Sequence, residues 1–196
     1  MPLPSRSYDR TLNAELERLI FQIQVIKQEG EGLLYGLTEP QLHWNPAPGS
    51  WSIALCVDHL NVTNRHFAAN FEKAVPGAKA ANLLDEGPYV YGFLSRMFMR
   101  MVEPPPKMKV KAPKRFQPGT PGTREELMAE FFAQHDRLIG IMKDVNGLDL
   151  ARIKVPSPVA DWLKFPMGMM FWIVSAHNRR HLWQMRRIRQ SPVFPN

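Results

Sequence analysis

Between Tyr8 and Tyr35 the apolar residues Leu12, Leu16, Leu19, Ile20, Ile23, Val25 and Ile26 return every three or four positions, with charged residues between them. That spacing matches a helix of about 3.6 residues per turn and not the alternation of a strand. The segment therefore predicts a long helix with one face that must be buried against other elements. Gly36 and then Pro40 fit its end. A second helix is expected from Ser52, a good N-cap, to about Val75, where Pro76-Gly77 would stop it. Thr123 and Glu126 have the spacing of a capping box and open a third helix to about Val145, with Leu127, Phe131, Leu138 and Met142 as its buried stripe. A fourth is expected from Phe165-Pro166 to about Arg189. No strand-like alternation competes with this reading. The pattern predicts an all-α chain, a single four-helix-bundle domain over residues 1–196, with main helices at about 8–35, 52–75, 123–145 and 165–189 and a long crossover between the second and third.

The joints between these helices are unusual. Trp44-Asn45-Pro46-Ala47-Pro48-Gly49-Ser50-Trp51 reads as an ordered loop whose tryptophans pack onto the bundle. From Gly77 to Gly122 only a short helix near Tyr91 to Met101 is expected, because six prolines between Pro104 and Pro121 forbid a continuous one. The stretch Glu103 to Pro121 carries the cations Lys107, Lys109, Lys111, Lys114 and Arg115, and two apolar anchors, Val110 and Phe116. It is expected to lie extended along the bundle with Phe116 packed down and the lysines in solvent, bordering the functional pocket.

Composition narrows the class. At 196 residues and 44% apolar, the chain can build a real core. The longest nearly apolar stretch, Met167 to Ala176, is about half the length of a membrane span. The N-terminal Met1-Pro2-Leu3-Pro4-Ser5-Arg6 has no secretory pattern, and a lone Cys56 cannot form an internal disulfide, so the cytoplasm is the default location. The net charge of +7 is concentrated in the crossover and near the C-terminus, where Arg186, Arg187 and Arg189 suit the last turn of a helix. Nucleic acid is therefore not the expected partner, nor is a membrane; a small-molecule substrate is, and a homodimer is a candidate assembly.

Of six histidines, His177 and His181 are the most informative. Four residues apart on a helix, their rings project from one face about one turn from each other. They continue the buried stripe of Met170, Ile173, Val174, Met185 and Ile188, so both point inward. One inward imidazole is ordinarily a hydrogen-bonded core residue. Two on adjacent turns are costly to desolvate without a strong shared partner, and a metal ion would satisfy both. On the second helix His59 shares the side of Ile53, Cys56, Leu60 and Phe67, while His66 lies on nearly the same face about 10 Å further along. Spacing leaves both open as a third ligand. His43 and His135 read as ordinary surface or packing residues. The segment is not the His-Glu-x-x-His of zinc proteases, since no glutamate follows His177.

Gly49-Ser50-Trp51-Ser52-Ile53-Ala54 running into Asp58-His59-Leu60 resembles the second-helix motif of the DinB/YfiT-like superfamily, and His177-Asn178-Arg179-Arg180-His181-Leu182-Trp183-Gln184 resembles its last-helix motif. Leu42-His43-Trp44-Asn45-Pro46 and the proline-rich crossover are similar to a DinB-like subfamily. The resemblance implies a four-helix bundle with one divalent metal ion held by His59, His177 and His181, and it selects His59 over His66. It also implies thiol S-transferases, isomerases that use a low-molecular-weight thiol, and members with no assigned reaction.

Three neutral imidazoles leave coordination positions open, as in catalytic zinc sites, and nickel, iron, cobalt or manganese suits the same nitrogen set. The expected function is a metal-dependent enzyme of the thiol S-transferase or hydrolase type acting on a small molecule, with a low-molecular-weight thiol as a candidate cofactor. The alternative is a non-catalytic bundle whose metal stabilises the fold or lines a binding pocket. Asp58 and Asn178 adjoin the ligands in sequence but face about 100° away from them, and no Asp or Glu stands out as a general base.

Overall fold

The computed structural model describes residues 11–105, 112–157 and 162–195, without the side chains of Leu94, Phe98 and Met101. Its main helices are α1 (Ala14–Leu34), α3 (Ile53–Ala80), α5 (Arg124–Asp144) and α6 (Met167–Arg189). Two shorter ones, α2 (Glu39–His43) and α4 (Phe93–Val102), and a one-turn 3-10 helix at Lys114–Phe116 lie in the connections. The first helix starts later than its periodicity suggests, because Asn13 is its N-cap: the Asn13 side chain accepts from Glu15 N at 2.8 Å. Tyr8 to Arg10, placed in that helix by sequence, lie outside the described residues. Thr123 and Glu126 form the expected capping box on α5, with Thr123 N donating to Glu126 at 2.9 Å.

Three expectations fail for local reasons. Pro76-Gly77 does not end the second helix, which continues to Ala80. Pro76 is exposed, so water can satisfy the carbonyl whose helical donor it lacks, while Val75 and Ala78 on the inner face are buried. Pro40 does not merely follow a helix. It sits in the first turn of α2, where its missing N–H costs nothing, behind a Thr38–Gln41 capping box. A small antiparallel hairpin, β1 (Lys154–Pro156) with β2 (Lys164–Pro166), also occurs where no strand is expected. At three residues each, its strands are too short for alternation to register in sequence.

α1 packs on α5 and α6, and α3 packs on the same two, so α1 lies across the bundle from α3. This arrangement leaves the first two main helices diagonal to each other. Its consequence is that α6, last in sequence, lies beside α3. The core between the helices holds Leu16, Leu19, Ile23, Phe71, Phe131, Leu138 and Phe171, all fully buried. Phe71 and Phe171 join α3 to α6, with ring centroids 4.4 Å apart. Each such side chain contributes roughly 1.5–3 kcal/mol by leaving water.

The α1–α5 approach depends on one glycine. A Cβ at Gly30 would lie 2.7 Å from the ring of Phe131, which is itself fully buried. Gly30→Ala should therefore destabilise the protein by about 1–3 kcal/mol through overpacking, despite a helix-propensity gain of about 1 kcal/mol. Paired with Phe131→Leu, which makes room, it should recover part of that loss. A urea midpoint for the single variant at or above wild type would show that the contact is not limiting.

Candidate metal centre

Ser52 caps α3 through a bond from Leu55 N at 3.2 Å, and this start sets the register in which His59 faces α6. His59 is 3% exposed, His181 is 8% exposed and His177 is half-buried. The His59 and His177 Nε2 atoms are 3.3 Å apart, and one nitrogen from each of the three rings lies within 4.8 Å of the others. Ring centroids are 4.6 Å apart for His59–His181 and 4.7 Å for His177–His181. Two nitrogens bound to one ion at about 2.0–2.1 Å would be separated by roughly 3–3.5 Å, so the His59–His177 spacing fits a shared ion.

The outer nitrogens select which lone pairs face inward. His59 Nδ1 donates to the Phe116 carbonyl at 2.5 Å, leaving Nε2 bare toward the other rings. His181 Nδ1 lies 3.1 Å from Gln184 Oε1, one turn further along α6. His177 Nδ1 is buried without a partner among the described residues. The indole of Trp51 stands 4.8 Å from the His59 ring and stacks on His181 at 5.9 Å, walling the cluster on the α2–α3 side.

Burial holds all three imidazoles neutral. Desolvation lowers the His59 pKa against a smaller upward pull from Phe116 O and Asp58. Desolvation, with His59 and Arg180 nearby, pushes His177 down to about 3, and His181 falls well below its ordinary value for the same first reason. No carboxylate joins the cluster among the described residues. Asp58 turns away and accepts from Gly119 N at 2.7 Å. Asn178 pairs instead with Asn64 and His135.

The other histidines separate cleanly. His66 is exposed and meets the Phe116 ring edge-on at 5.1 Å, outside the cluster. His43 pairs with Glu39 at the surface. His135 is fully buried, with Nδ1 2.6 Å from Phe131 O. Phe116 is packed down as expected, at 4% exposure, while Lys114 and Arg115 are in solvent. Lys107, Lys109, Val110 and Lys111 lie outside the described residues. Sequence reasoning missed Phe116 O, Gln184 and Trp51 as groups that hold the rings. Gln184 falls within the last-helix motif and Trp51 directly precedes the N-cap, whereas a backbone carbonyl leaves no trace in sequence.

Two outcomes follow from this geometry. In the metal-free protein burial disfavours the charged form of all three rings, whereas unfolding frees them to protonate below about pH 6.5. Their contribution to stability is therefore intact above that pH and is lost as pH falls through 6.5 toward the folded His177 value of about 3. Each ring contributes up to about 1.4 kcal/mol per pH unit to the slope. Urea midpoints across that range should fall less steeply in His177→Gln than in wild type; equal slopes would contradict the assignment.

The second concerns the crossover. Phe116 O and Gly119 N tie it to His59 and Asp58, so binding at the rings and docking of the crossover must favour each other. Cleavage by trypsin after Lys114 or Arg115 should slow when zinc is added, and Phe116→Ala should speed it by at least about tenfold. Cleavage that ignores both changes would mean that the crossover is only a tether.

Comparison with known proteins agrees with this architecture. The DinB superfamily model matches residues 26–185. No curated protein matches the chain. Among solved structures the chain is similar to YfiT from Bacillus subtilis, described as a probable metal-dependent hydrolase with an unusual four-helix bundle topology. The two share 12% identity over 97% of this chain and 91% of that one, with a TM-score of 0.58, a likeness of fold. With the family model spanning most of the chain and all three clustered histidines, this protein belongs to the DinB superfamily.

Proposed function

We propose that His59, His177 and His181 hold one divalent metal ion and that the protein is a metal-dependent enzyme acting on a small molecule. The observation that carries this reading is the convergence of three neutral imidazoles with no carboxylate among them. When bound, the ion would supply Lewis acidity and favour the anionic form of a thiol or water. The chain's own residues orient the rings: Phe116 O and Gln184 set two tautomers, and Trp51 keeps one side apolar.

Of the two reaction types, S-transfer to or from a low-molecular-weight thiol suits the site best. Hydrolysis benefits from a carboxylate placed to take a proton from water, and Asp58, the acid nearest in sequence, is committed to Gly119. The thiol would be supplied from outside, because Cys56 is fully buried and desolvation raises its pKa. Hydrolysis remains the second reading, supported by the description of YfiT. A purely structural ion has less to explain, since the core is extensive without it and three protein ligands leave a coordination position open.

Metal analysis of protein purified without an affinity tag tests the site. His59→Ala and His177→Ala should each weaken binding by more than about 100-fold, since even residues that only orient ligands are worth 10–100-fold. His66→Ala should retain the metal. Loss of metal from His66→Ala alone would show that the wrong ring was chosen. Metal-loaded protein should then transfer a thiol to an electrophilic small molecule, and a chelator should abolish the transfer. Retained metal with neither transfer nor hydrolysis would favour the structural reading.

A further inference from the structure

The outer face of α4 does no work in the bundle. The helix lies against α6 through its half-buried side, where Ser95, Met99 and Val102 sit and Met99 packs on the core. On the opposite side Phe93 is 71% exposed and Met97 is 47% exposed, and Val90 just before the helix is 78% exposed. Arg96 and Arg100 are exposed as well. Residues 93, 96, 97 and 100 follow the i, i+3, i+4, i+7 spacing, so two apolar and two cationic side chains share one face.

Several cations on the main helices are neutralised across the bundle. Arg65, Lys79, Arg137 and Arg186 each lie against a carboxylate on another helix. Arg96 and Arg100 have no such partner among the described residues, and α4 contains no acidic residue. Glu103, just beyond its end, is paired with Arg179.

We propose that this face of α4 docks on an anionic phospholipid surface. The helix packs on α6 and leaves this face in solvent, where a broad deformable surface can reach all four side chains. There the arginine stems can run along the apolar side chains while their charged ends reach the headgroups. The protein's net charge of +7 would draw it to the same surface. A second copy is a poorer occupant, because a two-fold contact through this face would set Arg96 and Arg100 against their own equivalents. No helix among the described residues is long and apolar enough to cross a membrane, so α4 would lie on the bilayer without spanning it. The sequence expectation of no membrane partner rested on the lack of a spanning segment and did not address such a face.

Co-sedimentation of the full chain with vesicles tests the proposal, comparing phosphatidylcholine alone with phosphatidylcholine containing about 30% phosphatidylglycerol. The protein should sediment with the anionic vesicles and stay in solution with the neutral ones. Phe93→Ser with Met97→Ser, and Arg96→Gln with Arg100→Gln, should each lower partitioning by about tenfold at unchanged helix content. Should a double variant misfold, the single changes Phe93→Ser and Arg96→Gln read the same face. Lys114→Gln with Arg115→Gln removes as much charge from exposed residues elsewhere and should matter by less than about threefold. Three results overturn the proposal: no preference for anionic vesicles, an equal loss in the Lys114/Arg115 control, or a lipid-free dimer that disappears in the Phe93/Met97 variant. The last would make the occupant a second copy.

Discussion

The reciprocal amide pair between Asn64 of α3 and Asn178 of α6 holds the arrangement on which the site depends. Each carboxamide donates to the other, at 3.1 and 2.9 Å, and both are fully buried. Asn178 also donates to Val174 O at 2.8 Å, and His135 of α5 closes on it at 3.0 Å. An apolar contact would tolerate rotation of α6 about its axis. A buried carboxamide deprived of its partners costs about 1–3 kcal/mol, so this one strongly favours a single rotation. Asn178 directly follows His177, and Asn64 lies little more than a turn beyond His59. The rotation it specifies is the one that brings the histidines together.

Around that lock the ring orientations come from unlike sources. Gln184 belongs to the same helix as His181, and its contact is local. The partner of His59 is a main-chain carbonyl from the crossover, brought there because Phe116 is buried against the bundle and Gly119 N is held by Asp58. Docking of the crossover thus also orients His59. A residue in contact with no ligand, Asp58, acts on the site by placing the segment that orients His59.

The neutral character of the site follows from the same burial. Desolvation is the first cause of the lowered pKa of each of the three rings, and Arg180 adds to it for His177 and His181. Imidazoles whose charged form is disfavoured by burial keep their lone pairs available to a cation. With no carboxylate in the cluster among the described residues, a bound cation would keep its full charge, which makes the position hospitable to small anions.

Much of this could be read from the chain itself, since periodicity and caps are local properties. The spacing of Leu16, Leu19, Ile23 and Ile26 shows a helix with a buried face, the Thr123–Glu126 box marks a start, and four residues between His177 and His181 place both rings on one side. The resemblance of the two histidine motifs added the choice of His59 over His66, which spacing alone left open. The hairpin and the continuation of α3 past Pro76 were not legible, because short strands carry little pattern and a proline's cost depends on whether its helix face meets water. Nor could any local rule place α3 beside α6, bring Phe116 O to His59, or leave Phe93 and Met97 uncovered. Sequence alone determined which side chains each helix would turn inward. Tertiary packing decided which of those faces meet, because that choice rests on buried areas and hydrogen bonds between residues far apart in the chain.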